Sequence, residues 1–102
     1  MRIEPIHPGE HLSEILEDLE ISQYRLAKAM GVPAVRVNEI AHCRRGITAD
    51  TALRLGRVLD MTPEFWMNLQ QRYDLEVARA ATDVSGVKRL VDVEPVEVTA
   101  AT

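Results

Sequence analysis

The chain has 102 residues, of which 46% are hydrophobic, and a formal net charge of −4, which suits one compact domain with a short extension. Its single cysteine, Cys43, excludes an internal disulfide and a cysteine-based zinc site. The acidic N-terminus and the lack of a long apolar run predict a soluble, cytoplasmic protein that has no signal peptide and no membrane partner.

Charge is distributed unevenly along the chain. Residues 1–20 carry one basic and six acidic side chains, residues 21–59 carry seven basic and two acidic, and residues 60–102 carry four basic and eight acidic. A polyanion is therefore attracted to the middle segment. The acidic flanks remain available for another partner, such as a basic protein.

The first predicted helix opens at Pro8, since proline suits a first helical position. Its apolar residues recur at i, i+3, i+4 and i+7, which predicts an inward stripe of Leu12, Ile15, Leu16 and Leu19. His7 and His11 are spaced to share a metal ion, but no third ligand is evident. We therefore predict no metal site and no cofactor.

Two short helices separated by a glycine turn are predicted between Ser22 and Gly46. Ser22 suits the N-cap of the first helix, and Gly31 suits the left-handed position that ends it. Pro33 fits the first turn of the second helix. The inward residues are Leu26, Ala27 and Met30 in the first helix and Val37, Ile40 and Ala41 in the second. This arrangement is typical of a helix-turn-helix, although any helical hairpin with a glycine turn looks similar.

The outward face of the second helix supplies the candidate base contacts. A helix-turn-helix presents the N-terminal residues of this helix to base edges in the major groove. Arg36 is the first candidate, because a guanidinium can donate two hydrogen bonds to guanine, and Asn38 is the second. Ala34 and Val35 suit contacts with thymine methyl groups.

Three further residues are candidate phosphate contacts. Gln23 stands at the N-terminus of the first helix of the pair, where free N–H groups suit an anion. Arg44 and Arg45 lie in the loop after the second helix, where they either reach the DNA or remain solvated.

Two more helices complete the predicted bundle. Thr48 suits the N-cap of a fourth helix with an inward stripe of Ala52, Leu55, Gly56 and Leu59, in which Gly56 permits close helix approach. The pair Thr62 and Pro63 starts a fifth helix that runs to about Ala81. We expect Phe65 and Trp66 in the core, and Tyr73 and Val77 at a two-fold interface.

The pattern changes in the last part of the chain. Valines alternate with charged residues, and Pro95 disfavours a central strand; the valines are Val91, Val93, Val96 and Val98. We predict a helix-turn-helix domain over residues 1–81 and an extended or disordered tail over residues 82–102. An edge strand or a segment ordered by a partner are the alternatives for the tail.

Residues 7–75 resemble the HigA family of addiction-module antidotes, a branch of the Xre/Cro-type helix-turn-helix proteins. The resemblance lies in HPGE at the start, RVNEI and RRGITADTALRL in the middle, and TPEFWMNLQ with YDL at the end. It implies an all-α, five-helix, lambda-repressor-like domain that binds palindromic operator DNA as a homodimer. It also places DNA contacts at Gln23, Pro33, Ala34, Arg36 and Asn38.

The resemblance further implies an antitoxin that represses its own operon and neutralises a small, HigB-type mRNA-cleaving toxin. We predict that the toxin binds the acidic first helix at Glu14, Glu17 and Asp18, because an RNA-cutting partner is expected to be basic. The nucleoid is then the expected location. A solitary repressor without a toxin and a pure protein-binding module are the alternatives. An enzyme is not predicted, since the sequence contains no recognisable catalytic constellation.

Overall fold

The computed structural model describes residues 4–91 and contains five helices in this range. They are α1 (Pro8–Leu19), α2 (Gln23–Met30), α3 (Ala34–Ala41), α4 (Ala49–Leu59) and α5 (Pro63–Ala81). No strand occurs among the described residues. The all-α, five-helix fold predicted from the sequence is confirmed.

Four of these helices begin at a side chain that caps a backbone N–H of the first turn. Ser22 Oγ accepts from Arg25 N at 3.0 Å, and Thr48 and Thr62 do the same for α4 and α5. The cap of α1 is His7, whose Nδ1 accepts from Gly9 N at 2.9 Å. Each cap satisfies a donor that the helix itself cannot pair. His7 therefore has a structural role that sequence reasoning missed.

The turn between α2 and α3 confirms one prediction from the sequence and corrects another. Gly31 is left-handed, with φ of 72°, as predicted for the end of α2. Pro33 occupies the N-cap of α3 with an extended ψ of 144°, so it stands just before the first helical turn and not inside it. The residue before a helix needs an extended ψ, and the fixed φ of proline is compatible with it.

The core is formed by apolar residues from all five helices and the loop before α4. Its buried members are Leu12, Leu16, Leu26, Ala27, Met30, Val37, Ile40, Ile47, Ala52, Leu55 and Trp66. Trp66 is completely buried, as expected for the core. Two other expectations are wrong, because Leu19 is 54% exposed and Phe65 is 37% exposed. Ile21, beyond the left-handed Glu20, packs against the core near the end of α1.

Phe65 remains at the edge of the core, where it contacts Trp66 edge to face with ring centroids 5.2 Å apart. Adjacent residues of a helix point about 100° apart, so only one of the two rings can face the centre. Trp66 takes that position.

Two glycines allow backbones to meet closely. Gly56 is predicted to permit close helix approach, and a Cβ there would lie 2.5 Å from the carbonyl oxygen of Met61 in the loop before α5 and 3.2 Å from Pro63 N, the first residue of α5. A Cβ on Gly9 would lie 1.8 Å from the carbonyl oxygen of Ile40. The first turn of α1 is therefore pressed against the last turn of α3.

After α5 the described chain runs from residue 82 to Val91 without a helix or a strand, and this stretch is exposed. Val93, Val96 and Val98, on which the strand hypothesis depends, lie outside the described residues. The division of the chain into a domain and a tail stays a prediction. Across residues 4–91, no helix is long and apolar enough to cross a membrane.

Candidate nucleic-acid interface

The helix pair α2 and α3 places its apolar residues in the core and leaves the start of α3 exposed. Leu26 and Met30 of α2 are buried, as are Val37 and Ile40 of α3. On the opposite side of α3, the first turn is open to solvent, and Val35 is 57% exposed. A helix with this exposure is able to enter a DNA groove.

The predicted DNA contacts in α3 and at its N-cap do not share one environment. Pro33, Ala34, Val35 and Asn38 are exposed. Arg36 is half-buried, with 29% of its side chain exposed, because its guanidinium extends to the start of α4.

At the start of α4, one carboxylate oxygen binds two arginines. Asp50 Oδ2 lies 2.8 Å from Arg36 Nη1 and 3.0 Å from Arg54 Nε. Arg54 also donates from Nη1 to the carbonyl oxygen of Met30 at 2.8 Å, at the end of α2. The hydrogen bonds from Arg54 and then from Arg36 hold the pKa of the Asp50 carboxyl below its usual value. Asp50 is therefore charged at neutral pH, and the network that it forms with Arg36 and Arg54 links α2, α3 and α4.

The two predicted amide contacts are joined to one another. Asn38 Nδ2 donates to Gln23 Oε1 at 3.1 Å, so α3 is linked to the first residue of α2. The sequence predicts a phosphate contact for Gln23 and a base contact for Asn38, and the spacing of the two residues does not indicate the bond between them. The structure brings the two side chains to one side of the helix pair.

The loop after α3 carries the two predicted phosphate contacts. Arg44 and Arg45 are both exposed, and Arg45 forms an ion pair with Glu39, with 2.6 Å between Nη2 and Oε1. The end of the loop is fixed by α5, because Ile47 N donates to Gln70 Oε1 at 2.6 Å. The loop arginines are thus held close to the C-terminal end of α3.

The other predicted surfaces lie on α1 and α5. Glu14, Glu17 and Asp18 are exposed on α1. On α5, Val77 is exposed, whereas Tyr73 is half-buried against the His7 ring with centroids 4.9 Å apart. Tyr73 therefore also packs within its own protomer, against the N-cap of α1. The pairing of Tyr73 and Val77 in a dimer, and of the three acids with a toxin, stays a prediction.

The described residues contain no group of three His, Cys, Asp or Glu side chains that is placed to hold a metal ion. His7 and His11, which the sequence suggested as the edge of such a site, have different surroundings. His7 caps α1 and is buried, and His11 is half-buried in the following turn.

A five-helix fold with an exposed α3 after a glycine turn defines a helix-turn-helix DNA-binding protein. In agreement, residues 11–64 match the profile of the Cro/C1-type HTH DNA-binding domain. The chain belongs to this class and, within it, to the HigA family of addiction-module antidotes.

Three similar proteins illustrate the relationship. An addiction module antidote protein of the HigA family from Coxiella burnetii is 43% identical with a TM-score of 0.80, covering 86% of this chain and 99% of that one. The Pseudomonas aeruginosa antitoxin HigA, solved with the higBA promoter, is 52% identical with a TM-score of 0.74, covering 76% and 86%. Virulence-associated protein I of Dichelobacter nodosus is 50% identical over 74 residues, which are 72% of this chain and 68% of that protein.

Proposed function

We propose that this protein is the antitoxin of a type II toxin-antitoxin module, which binds operator DNA as a dimer, represses its own operon and neutralises a HigB-type mRNA-cleaving toxin. The observation that carries the proposal is the exposed first turn of α3, together with the exposed arginines Arg44 and Arg45 that follow the last turn of the same helix. The Pseudomonas aeruginosa relative, solved with the higBA promoter, supports promoter binding by this chain as well.

In the proposed complex, α3 enters the major groove and its exposed residues contact the base edges. Ala34 and Val35 then meet thymine methyl groups, and Arg36 and Asn38 donate to bases. Gln23, Arg44 and Arg45 contact phosphates. The proposed base contacts thus come from α3, and the proposed phosphate contacts come from the start of α2 and the loop after α3.

A dimer extends this contact to a palindrome. Two copies related by a two-fold axis would place their α3 helices in successive major grooves, about 34 Å apart. Val77, exposed on the long helix α5, is the proposed dimer contact, together with the edge of Tyr73.

The salt dependence of DNA binding tests the DNA-binding part of the proposal. With three to four phosphate contacts in each half-site, the log–log slope of affinity against salt is expected to be roughly −5 to −7. The measurement is fluorescence anisotropy with a labelled duplex from upstream of the protein's own gene and a shuffled duplex of equal composition. Equal affinity for the two duplexes, or a slope near zero, contradicts operator binding.

The toxin surface is tested by charge reversal. Changing Glu14, Glu17 and Asp18 to Lys is expected to abolish binding to a HigB-type toxin, since the acidic face of α1 would become basic. The single variants Glu17→Lys and Glu64→Lys make the same charge change on α1 and α5, and only the first is expected to weaken binding. Unchanged toxin binding by the triple variant excludes this surface. A wild-type protein that binds operator but no such toxin is a solitary repressor.

A further inference from the structure

We propose that Asp50 determines DNA sequence specificity by holding the Arg36 guanidinium in one orientation and by shielding it from phosphates. Asp50 lies on α4, outside the helix that reads the bases. The inference rests on the proposed DNA-binding function, and its test separates the two.

The geometry gives Arg36 a fixed attachment point. Asp50 Oδ2 accepts from Arg36 Nη1 at 2.8 Å and also from Arg54 Nε at 3.0 Å. Arg54 is in turn held by the Met30 carbonyl at 2.8 Å. The Asp50 carboxylate is therefore restrained when Arg36 moves, because Arg54 holds it near the end of α2.

The pairing leaves Arg36 able to contact DNA. A guanidinium has five N–H donors, and the bond to Asp50 occupies one of them. The side chains of Arg36 and Asp50 are 29% and 56% exposed, so the pair is open to solvent at its outer side. The remaining donors form the fork that suits the O6 and N7 atoms of guanine.

The charge of Asp50 affects phosphates and bases differently. A carboxylate next to Arg36 repels a phosphate oxygen that approaches the same guanidinium, which weakens contacts available on any DNA. A guanine edge carries no net charge. Its contact with Arg36 therefore depends on how the N–H donors are directed at O6 and N7 more than on the net charge of the side chain. Asp50 thus lowers non-specific binding and preserves the directed contact, which raises the ratio of operator to random affinity.

A second acid–base pair on the same side supplies a matched control. Glu39 pairs with Arg45 through Oε1, with 2.8 Å to Nε, and this arginine lies in the loop and not on α3. Glu39→Gln removes a negative charge beside Arg45, and Asp50→Asn removes one beside Arg36 and Arg54, of which Arg54 keeps its bond to the Met30 carbonyl oxygen. An effect of lost negative charge alone is expected in both variants. Loss of the Arg36 orientation is expected only in Asp50→Asn.

The experiment compares affinities for the operator duplex, for a set of single base-pair variants of it, and for a shuffled duplex. Asp50→Asn is expected to bind the shuffled duplex about threefold to tenfold more tightly, since one further arginine becomes available to phosphates. The operator affinity changes less. The base preference is expected to weaken at the position where Arg36→Ala weakens it, and Asp50→Asn adds no further loss of preference in the Arg36→Ala background.

Two controls complete the test. Asp50→Glu restores the carboxylate and is expected to recover most of the base preference, and Glu39→Gln is expected to keep the preference intact. An unchanged base preference in Asp50→Asn, or an equal change on operator and shuffled DNA in a variant with wild-type circular dichroism, overturns the role of Asp50. A wild-type protein that does not distinguish the two duplexes overturns the proposed function itself.

Discussion

Asn38 Nδ2 donates a 3.1 Å hydrogen bond to Gln23 Oε1, which joins the middle of α3 to the first residue of α2. The bond uses one donor and one acceptor of the two amides. The Gln23 Nε2 group can still donate to a phosphate, and the Asn38 Oδ1 atom can still accept from a base. The proposed phosphate contact of Gln23 and the proposed base contact of Asn38 are thus connected through one side-chain pair.

This connection predicts that Gln23 and Asn38 are energetically coupled in operator binding. Gln23→Ala and Asn38→Ala are each expected to weaken binding, and the double variant is expected to lose less than the sum by about 0.5 kcal/mol or more. The reason is that each single change also frees the other side chain. Operator titrations of the four proteins at one salt concentration give the coupling energy. Losses that add within about 0.3 kcal/mol would show that the bond has no role in the complex.

Arg36→Ala is expected to cost about 1–3 kcal/mol of operator binding and to relax the preference at one base position in each half-site. The physical reason is that the variant loses the two hydrogen bonds that the Arg36 guanidinium can donate to the O6 and N7 atoms of guanine. Affinities for the operator, its single base-pair variants and a shuffled duplex provide the measurement. Arg44→Ala is the matched control, since loss of a phosphate contact weakens binding to all duplexes alike. An equal loss on all duplexes for Arg36→Ala would identify it as another phosphate contact.

The starts of α2, α4 and α5 and the end of α2 were predictable because their signals are local. Ser22 caps α2 within three residues, and Gly31 ends it through its own φ. Thr48 and Pro63 mark the starts of α4 and α5 in the same way. Periodicity also identified most of the core, since an inward stripe needs only the helical repeat.

The contacts that organise the candidate interface were not predictable from spacing. Asp50 is 14 residues from Arg36, and Gln70 is 23 residues from Ile47. Such pairs depend on how helices pack, which the pattern of one helix does not contain. Leu19 is the related failure at the core, because the helical repeat of α1 does not show that its last residue is left exposed.

The close contact between α1 and α3 predicts that Gly9→Ala destabilises the fold by about 1–3 kcal/mol. A new Cβ would lie 1.8 Å from the Ile40 carbonyl oxygen, and a backbone atom cannot move aside cheaply. Alanine favours a helix over glycine by only about 1 kcal/mol, so the clash outweighs this gain. Denaturant unfolding followed by the fluorescence of the buried Trp66 measures the difference.

The control for this change is Gly86→Ala, where a Cβ meets no heavy atom within 4 Å among the described residues. Its stability is expected to stay within about 0.5 kcal/mol of wild type. A Gly9→Ala variant as stable as Gly86→Ala would mean that α1 can shift away from α3 without cost.

His7 gives the fold a pH dependence whose direction follows from its surroundings. Its Nδ1 atom accepts from Gly9 N at 2.9 Å, which requires an unprotonated nitrogen. Burial lowers the pKa of this ring, and the nearby carboxylates of Glu10 and Asp74 oppose the shift without reversing it. The neutral ring is therefore the form that the folded protein favours.

We expect the free energy of unfolding to fall on acidification because of His7. The unfolded chain binds a proton near the ordinary histidine pKa of about 6.5, while the folded chain resists it, so the contribution is complete above that pH and is lost as the pH falls through the lower folded value. His7→Asn keeps an N-cap acceptor without a titrating ring. The unfolding free energies of both proteins are measured between about pH 5.5 and 7.5. Since the two proteins differ only at this residue, parallel curves would show that His7 is not the cause.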